Sequence, residues 1–364
     1  MKMVCSNCGR DYPAEGTPYR CMKCGGLFDI QTIQFDINQV DVFQPGMWRY
    51  KHSFVGLPPE VEAVTLGEGD TPLVWSEGWG RQVAFKCEQL NPSGSFKDRG
   101  SSLLISFLKS RGVTSVVEDS SGNAGASFAA YAARAGMQAG VYLPASSSGA
   151  KREQIAMLGA KLKLVEGTRS AVTSALEADL ERSGAVYASH AYLPINLPGY
   201  ATSAYEIFFQ LGCVPGTVVV PVGQGGLLLG LYRGFLALKK AGLTDSLPYF
   251  IGVQARACSP LWVLSTAGYS AMGFITEGAT LAEGVRVQRP LRAGALLKIA
   301  EDRQGEFVPV DEVDILRARD ELAHKGLYIE PTSAISWAAL GPMIDRLQDP
   351  IVVMLTGSGY KYNK

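Results

Sequence analysis

From about residue 70 onward, short apolar runs rich in β-branched residues alternate with longer amphipathic stretches. The runs are "VTSVV" (113–117), "AGVYLP" (139–144), "KLKLV" (161–165), "AVYAS" (185–189), "TVVVPV" (217–222), "FIGVQA" (250–255) and "IVVMLTG" (351–357). Each has the length and bounding turn residues of a buried strand. Between them lie helical patterns such as "AGASFAAYAARAG" (124–136), closed by Gly136 where a left-handed cap is wanted, and "DEVDILRARDELAHKG" (311–326). Strands joined by helical crossovers predict parallel sheets covered on both faces, an α/β protein. Residues 31–70 read instead as an extended connection whose Phe43, Trp48, Tyr50 and Phe54 pack against the main body. No internal repeat or low-complexity segment interrupts the pattern.

Parallel sheets of this kind bind ligands at the carboxyl ends of their strands, where loops lead into helix N-termini. Three such loops are rich in small and polar residues: "EDSSGNAG" (118–125), "GQGGLLLG" (223–230) and "TGSGYK" (356–361). Glycines in the second let backbone N–H groups approach an anion at the mouth of the next helix. Its spacing is not a nucleotide fingerprint, because G-x-G-x-x-G needs glycine where Leu228 stands. Taken alone it is equally a tight strand-to-helix turn, and the first loop equally a helix cap.

Composition narrows the field. The chain has 364 residues, enough for two domains, with 47% apolar and 19% charged residues. Lys+Arg and Asp+Glu are both 34, so no overall basic field favours nucleic acid or an acidic membrane surface. "MKMVCSNCGR" lacks the apolar run of a signal peptide, and the most apolar window (217–232) is broken by Pro, Gly and Gln. A cytoplasmic protein is the expectation.

Cys5, Cys8, Cys21 and Cys24 form two C-x2-C pairs twelve residues apart. Each turn aims two thiolates at one point, and four sulfurs suit tetrahedral zinc in a closed structural site. Two disulfides or unmetallated thiols are the alternatives; the lack of an export signal disfavours the first. A ribbon of some thirty residues with so few apolar side chains would draw its folding energy from the metal. Cys87, Cys213 and Cys258 read as small buried hydrophobes.

The most telling stretch is "NPSGSFKDRG" (91–100), which places Lys97 at the mouth of a predicted helix. Ser95 is expected to cap that helix and Asp98 to suit its positive end. A lysine amine, an Asn-bearing loop, a glycine cradle and a hydroxyl after a buried C-terminal strand are what pyridoxal phosphate requires. Its aldehyde needs an amine for a Schiff base, its phosphate needs N–H donors, and its ring needs partners at hydroxyl and nitrogen. In this order the motifs resemble the fold-type II enzymes, the tryptophan synthase β-subunit class, and within it the threonine synthase family. The resemblance rests on "GEGDTPL" (67–73), "NPSGSFKDRG", "SSGNAGASFAAYAARAG" (120–136), "YIEPTSA" (328–334) and "LTGSGYK" (355–361). Some members of that family carry an N-terminal zinc ribbon like residues 5–24.

The resemblance implies two parallel-sheet α/β domains with the active site between them. It places a zinc ribbon at 1–30, a connection at 31–70, a larger cofactor-binding domain at 71–112 and 200–364, and a smaller domain at 113–199. Lys97 would carry the cofactor and later move protons. Asn123 would face the ring hydroxyl, and Thr356 the pyridine nitrogen. Gly223, Gln224, Gly225 and Gly226 would bind the cofactor phosphate. Ser121, Gly122 and Ala124 would hold the substrate carboxylate. Glu330 stands in the family's Glu-Pro-x-Ser-Ala stretch near the ring. A small amino-acid substrate and a homodimer are family expectations, with neither nucleic acid nor membrane as partner.

Three positions depart from the family's grip on a substrate phosphate: Ala124 replaces its Thr, Asn196 falls on its Arg, and Gln224 on its first cradle Asn. The "GQGGL" loop and "TLAEGVRV" (280–287) look more like threonine and serine dehydratases. Arg152, Arg286 and Arg292 are alternative cations. A neutral hydroxyl at Thr356 weakens the ring as an electron sink and favours expulsion of a leaving group. The expected activity is therefore elimination or replacement at Cβ or Cγ of an amino acid without a phosphate. Threonine synthase proper, acting on O-phosphohomoserine, and a non-catalytic amino-acid-binding paralogue are the alternatives.

Overall fold

The computed structural model describes residues 2–147, 149–167 and 169–362. The chain opens with β1 (Val4–Cys5) and β2 (Phe28–Asp29), followed by the hairpin β3 (Leu73–Gly78) and β4 (Arg81–Lys86). Then come α1 (Lys97–Ser110), β5 (Ser115–Glu118), α2 (Asn123–Arg134), β6 (Gln138–Pro144), α3 (Gly149–Met157) and β7 (Lys161–Val165). Next are α4 (Arg169–Ser183), β8 (Val186–Tyr187), α5 (Asn196–Leu211), β9 (Thr217–Pro221) and α6 (Gly226–Lys240). The chain continues with β10 (Tyr249–Ala255), α7 (Pro260–Ala267), α8 (Ala293–Glu301), β11 (Gly305–Val310), α9 (Glu312–His324), α10 (Pro331–Ala338) and β12 (Ile351–Met354). Among the described residues no helix is long and apolar enough to cross a membrane.

These elements gather into two compact units. The first comprises the residues up to Gly69, Asn91–Tyr200 and Lys361 onward; the second comprises Asp70–Leu90 and Ala201–Tyr360. Residues 91–112, with the Lys97 motif, thus group with the first unit.

In the first unit an all-parallel sheet runs β7-β6-β5-β8. Val117, Tyr142, Val172, Leu176 and Tyr187 form its small core. Helix α2 ends as its sequence foretells: Gly136 adopts φ +71°, and Met137 N–H returns to Ala132 O at 2.9 Å. The 31–70 segment is less extended than expected, since residues Gly46–Ser53 form 3₁₀ turns. Trp48, Tyr50 and Phe54 are buried there, whereas Phe43 is 94% exposed and takes no part in the packing. The turn at Gly46 (φ +59°) carries the chain into contact with Glu68, whose backbone oxygen would lie 2.1 Å from any Cβ.

The second unit holds a six-stranded sheet in the order β11-β10-β9-β12-β4-β3, parallel except for the antiparallel edge pair β3–β4. The sequence pattern predicts neither that hairpin nor β11. The hairpin turns on Trp79 (φ 54°) and Gly80 (φ 71°), a two-residue turn whose twist matches its strands. Strand β11 carries Pro309, which is tolerated because β11 is an edge. The central strands are nearly continuous in apolar burial: Val218, Val219, Val220, Ile351, Val352 and Val353 are fully enclosed. Of the three scattered cysteines, Cys87 and Cys258 are buried as expected, but Cys213 is exposed at the end of α5, where Gly212 has already turned the chain out.

Candidate active site

In the first unit Lys97 opens α1, half-buried, with Nζ 4.7 Å from the centre of the Phe96 ring. The expected Ser95 cap does not form. Phe96 is the N-cap and no side chain caps the helix, while Ser95 is wholly buried with its hydroxyl unpaired among the described residues. The reason is Asp98, which takes over the turn from inside the helix. Its carboxylate accepts Ser93 N–H at 2.6 Å, the Ser93 hydroxyl, and Ser127 Oγ from α2 at 2.6 Å. Asp98 therefore fastens the 91–95 turn to α1 and α1 to α2. Burial raises its pKa to about 6 against those three hydrogen bonds and the nearby Lys361 charge, all of which pull it down. Lys361 Nζ itself donates to Ser93 O at 2.8 Å.

The loop after β5 leads into α2 with Gly122 as N-cap and no side-chain cap, so the first turn of α2 begins at Asn123 and Ala124 without a capping side chain. Gly122 N–H bonds Ser120 Oγ at 3.3 Å, and Ser121 is half-buried beside it. Glycine is needed at 125, where a Cβ would meet Ser120 O at 1.8 Å. Lys97, Ser121, Gly122, Asn123 and Ala124 thus belong to one unit, joined by the Asp98–Ser127 bond.

In the second unit β9 runs into the 223–226 loop and α6. Gly225, in the left-handed region at φ +79°, is the N-cap, and again no side chain caps the helix. A Cβ at Gly223 would lie 2.7 Å from Gly284 O, and one at Gly225 2.3 Å from Leu296. The loop is therefore bare backbone at the mouth of a helix of 15 residues, the donor set an anion requires. Gln224 turns away to accept Leu291 N–H at 3.1 Å through Oε1. Thr356, buried after β12, lies 3.1 Å hydroxyl to hydroxyl from Ser333. Ser333 also accepts the N–H groups of Thr356 (3.0 Å) and Gly357 (2.7 Å), so it fixes the loop that presents Thr356. Glu330 is the buried N-cap of α10, with its N–H on Gly357 O at 3.1 Å.

Two buried networks are invisible in the sequence pattern. Glu68, inside "GEGDTPL", accepts Trp48 Nε1 (2.8 Å), Tyr131 Oη (2.6 Å), Thr65 Oγ1 (3.1 Å) and Leu66 N–H (3.0 Å). Lys86, wholly buried at the end of β4, donates to Glu206 Oε2 (2.6 Å), Thr71 O (2.6 Å) and Gln210 Oε1 (3.1 Å). The one signal for Lys86 is a charged residue inside an apolar run.

The four ribbon cysteines bring their sulfurs within 4.8 Å of one another, with Cys5–Cys24 at 3.6 Å and Cys8–Cys21 at 3.7 Å. Four sulfurs about 2.3 Å from one tetrahedral centre stand about 3.8 Å apart, so the spacing fits zinc. The Gly26 N–H draws the Cys24 thiol down to about 6. Cys8 is pushed up to about 11: the Arg10 N–H lowers it, but Cys24 and burial raise it more.

The chain belongs to the pyridoxal-phosphate dependent enzyme family, whose profile matches residues 64–357. It is similar to the threonine synthase of Methanosarcina acetivorans, 33% identical over 94% of this chain and 87% of that one. The threonine synthase of Methanocaldococcus jannaschii is 31% identical over 99% of this chain and 93% of its own. Among solved structures, a threonine deaminase from T.th. superposes with a TM-score of 0.69 at 26% identity, covering 81% of this chain and 94% of that one. Maize serine racemase, at 24% identity and a TM-score of 0.69 over 79% of this chain and 88% of its own, shares the fold. The protein is thus a fold-type II pyridoxal phosphate enzyme, and the bare glycine loop at α6 is compatible with that cofactor's phosphate.

Proposed function

We propose that this enzyme catalyses elimination or replacement at Cβ or Cγ of an L-amino acid whose side chain carries no phosphate. Lyase-type chemistry on an amino acid is supported by the family and by relatives named threonine synthase and threonine deaminase. Pyridoxal phosphate, when bound, withdraws electrons from the substrate Cα and so acidifies its proton. Lys97 would attach the cofactor through Nζ and, once displaced by the substrate amine, take the Cα proton. The 223–226 N–H groups would hold the cofactor phosphate at the positive end of α6, with Gln224 contributing backbone only. The α2 N-terminus, through Ser121, Gly122 and Ala124, would hold the substrate carboxylate, and Asn123 would meet the ring hydroxyl. Thr356, kept in place by Ser333, would offer the ring nitrogen a neutral partner. The four ribbon cysteines would hold one zinc ion as a closed structural site, away from any chemistry.

The observation that carries the substrate reading is that none of the phosphate-gripping positions carries a cationic side chain, and the two polar ones bond within the protein. Asn196 Nδ2 donates to His190 O at 2.6 Å, Gln224 Oε1 accepts Leu291 N–H, and Ala124 has no side-chain donor to give. Arg286, one of the alternative cations, turns to Glu277, with its guanidinium 3.8 Å from the carboxylate and 3.2 Å from the backbone oxygen. Each missing charge-assisted contact to a dianion costs about 1.5–3 kcal/mol. The relatives' names favour a second reading, threonine synthesis from O-phosphohomoserine. Comparing kcat/KM for L-serine, L-threonine and O-phosphohomoserine separates the two. The proposal expects the unphosphorylated amino acids to be preferred; threonine and phosphate formed far more efficiently from O-phosphohomoserine would overturn it.

A further inference from the structure

The carboxyl end of the four-stranded sheet carries a pair of residues with no part in the scheme so far. Strand β5 ends at Glu118, and β8 runs parallel beside it, with Ala188 N–H on Val117 O at 2.9 Å. Two residues further on is His190. Both oxygens of the Glu118 carboxylate serve this one residue: Oε2 accepts His190 N–H at 3.1 Å, and Oε1 lies 2.9 Å from Nδ1. The His190 carbonyl is fixed in turn by Asn196 Nδ2. Its backbone donor, backbone acceptor and ring are thus all restrained. The Glu118 side chain is 1% exposed and that of His190 is 16%. The carboxylate is enclosed, and the imidazole is the more exposed member of the pair.

Such a pair is costly as packing. The neighbouring positions Val116 and Val117 show what the strand uses where only burial is needed. A buried carboxylate demands a partner, and here the partner is a group that can gain and lose a proton. With Nδ1–H directed at the carboxylate, the exchangeable proton of the imidazolium is on Nε2. The location is equally specific. Glu118 is followed directly by the 119–124 loop. On its other side His190 is linked through Asn196 to the first turn of α1, where a Cβ on Gly100 would lie 2.8 Å from Asn196 Cβ. Lys97 begins that turn.

We propose that His190, oriented by Glu118, is the proton donor to the departing side-chain oxygen, and that the substrate class is therefore β-hydroxy amino acids. The assignment rests on the reading of a substrate without a phosphate. In the step, Lys97 takes the Cα proton and that bond's electron pair becomes the Cα–Cβ double bond. The Cβ–O bond breaks with its pair on oxygen, and the Nε2 proton moves to that oxygen, releasing water. His190 is left neutral, with Nδ1–H still on Glu118, and regains a proton from solvent. Hydroxide is a poor leaving group and needs this proton; chloride is a good one and does not.

The test compares L-serine with β-chloro-L-alanine in the holoenzyme and in His190→Gln. General acid catalysis of this kind contributes about 10²–10⁴-fold. His190→Gln should lose a factor in that range on L-serine, and less than about tenfold on β-chloro-L-alanine, with the cofactor absorbance band unchanged. Glu118→Gln, which keeps the hydrogen bond without its charge, should show a smaller loss with the same selectivity. The ratio of the two rates is taken within one preparation, so a partly folded variant still gives the answer. Equal losses on both substrates, or no loss on L-serine, would overturn the assignment while leaving the substrate reading intact. A wild-type enzyme active on O-phosphohomoserine alone would overturn both.

Discussion

Replacing Asp98 by Asn should stabilise the first unit at neutral pH and have little effect in acid. The carboxyl is fully buried, and burial holds its pKa at about 6, above the unfolded value of about 3.9. Below pH 4 both folded and unfolded chains carry the proton, and the group is without penalty. Between about pH 4 and 6 the unfolded chain ionises while the folded one retains its proton, so stability from this group falls as pH rises. Above about pH 6 the full penalty is present. Two pKa units correspond to about 3 kcal/mol. For a unit of this size that is roughly 6–12 °C in Tm. Asn can accept Ser93 N–H through its carbonyl in place of Oδ2, and its amide, in place of Oδ1, can donate to Ser93 Oγ and Ser127 Oγ, so the fastening of α1 survives. Thermal unfolding of wild type and Asp98→Asn between pH 4 and 8 isolates the effect as a difference in Tm. The variant should gain on the wild type through pH 4–6 and then hold its advantage. A flat difference, or a wild type that gains on the variant as pH rises, would mean that the Ser93 and Ser127 hydrogen bonds outweigh burial, and the reasoning would fail.

Metal analysis of protein purified without chelators should find one zinc per chain, and Cys8→Ser should abolish it while leaving turnover chemistry unchanged; zinc-free wild-type protein would refute the site. Lys86→Met should cost about 3–5 kcal/mol in denaturant unfolding, because it strands the buried Glu206 charge, and a Glu206→Leu partner change should recover most of it. Equal loss in the double variant would argue against a stranded charge. Ser333→Ala leaves the N–H groups of Thr356 and Gly357 without their acceptor, a loss of about 1–3 kcal/mol for each. It should also weaken cofactor retention more than Ser336→Ala, measured by dialysis and absorbance.

What the sequence made legible was local. Val218–Val220 and Ile351–Val353 are β-branched runs long enough to be strands wherever they lie, and two C-x2-C turns define a tetrahedral thiol set without help from the rest of the chain. The hairpin β3–β4 escapes such reading because β3 is an edge with mixed burial, so neither alternation nor an apolar run marks it. The Ser95 cap failed for a related reason. Capping rules describe a helix end in water, but here Asp98 reaches back from the first turn and gathers the turn's donors. Glu68 and Glu118 look like ordinary acids in sequence. Only the fold reveals that one is surrounded by Trp48 and Tyr131, and that the other is joined to His190, 72 residues away.

The order of strands in the six-stranded sheet bears on how the chain is made. β4 pairs with β12 in the register Val83↔Ile351, and β12 emerges about 270 residues after it. At 5–20 residues per second, β4 waits on the order of ten seconds to a minute for its central neighbour. In that interval it has only β3, and an isolated two-stranded hairpin is marginal in water. The segment bearing β5–β8 is complete well before β12 is synthesised, so the unit with the Lys97 helix can form on the ribosome while the apolar edge of Val83, Ala84 and Phe85 is still uncovered. That exposed edge is where a chaperone would be expected to bind the nascent chain, and its shelter is the last piece of the sheet to arrive.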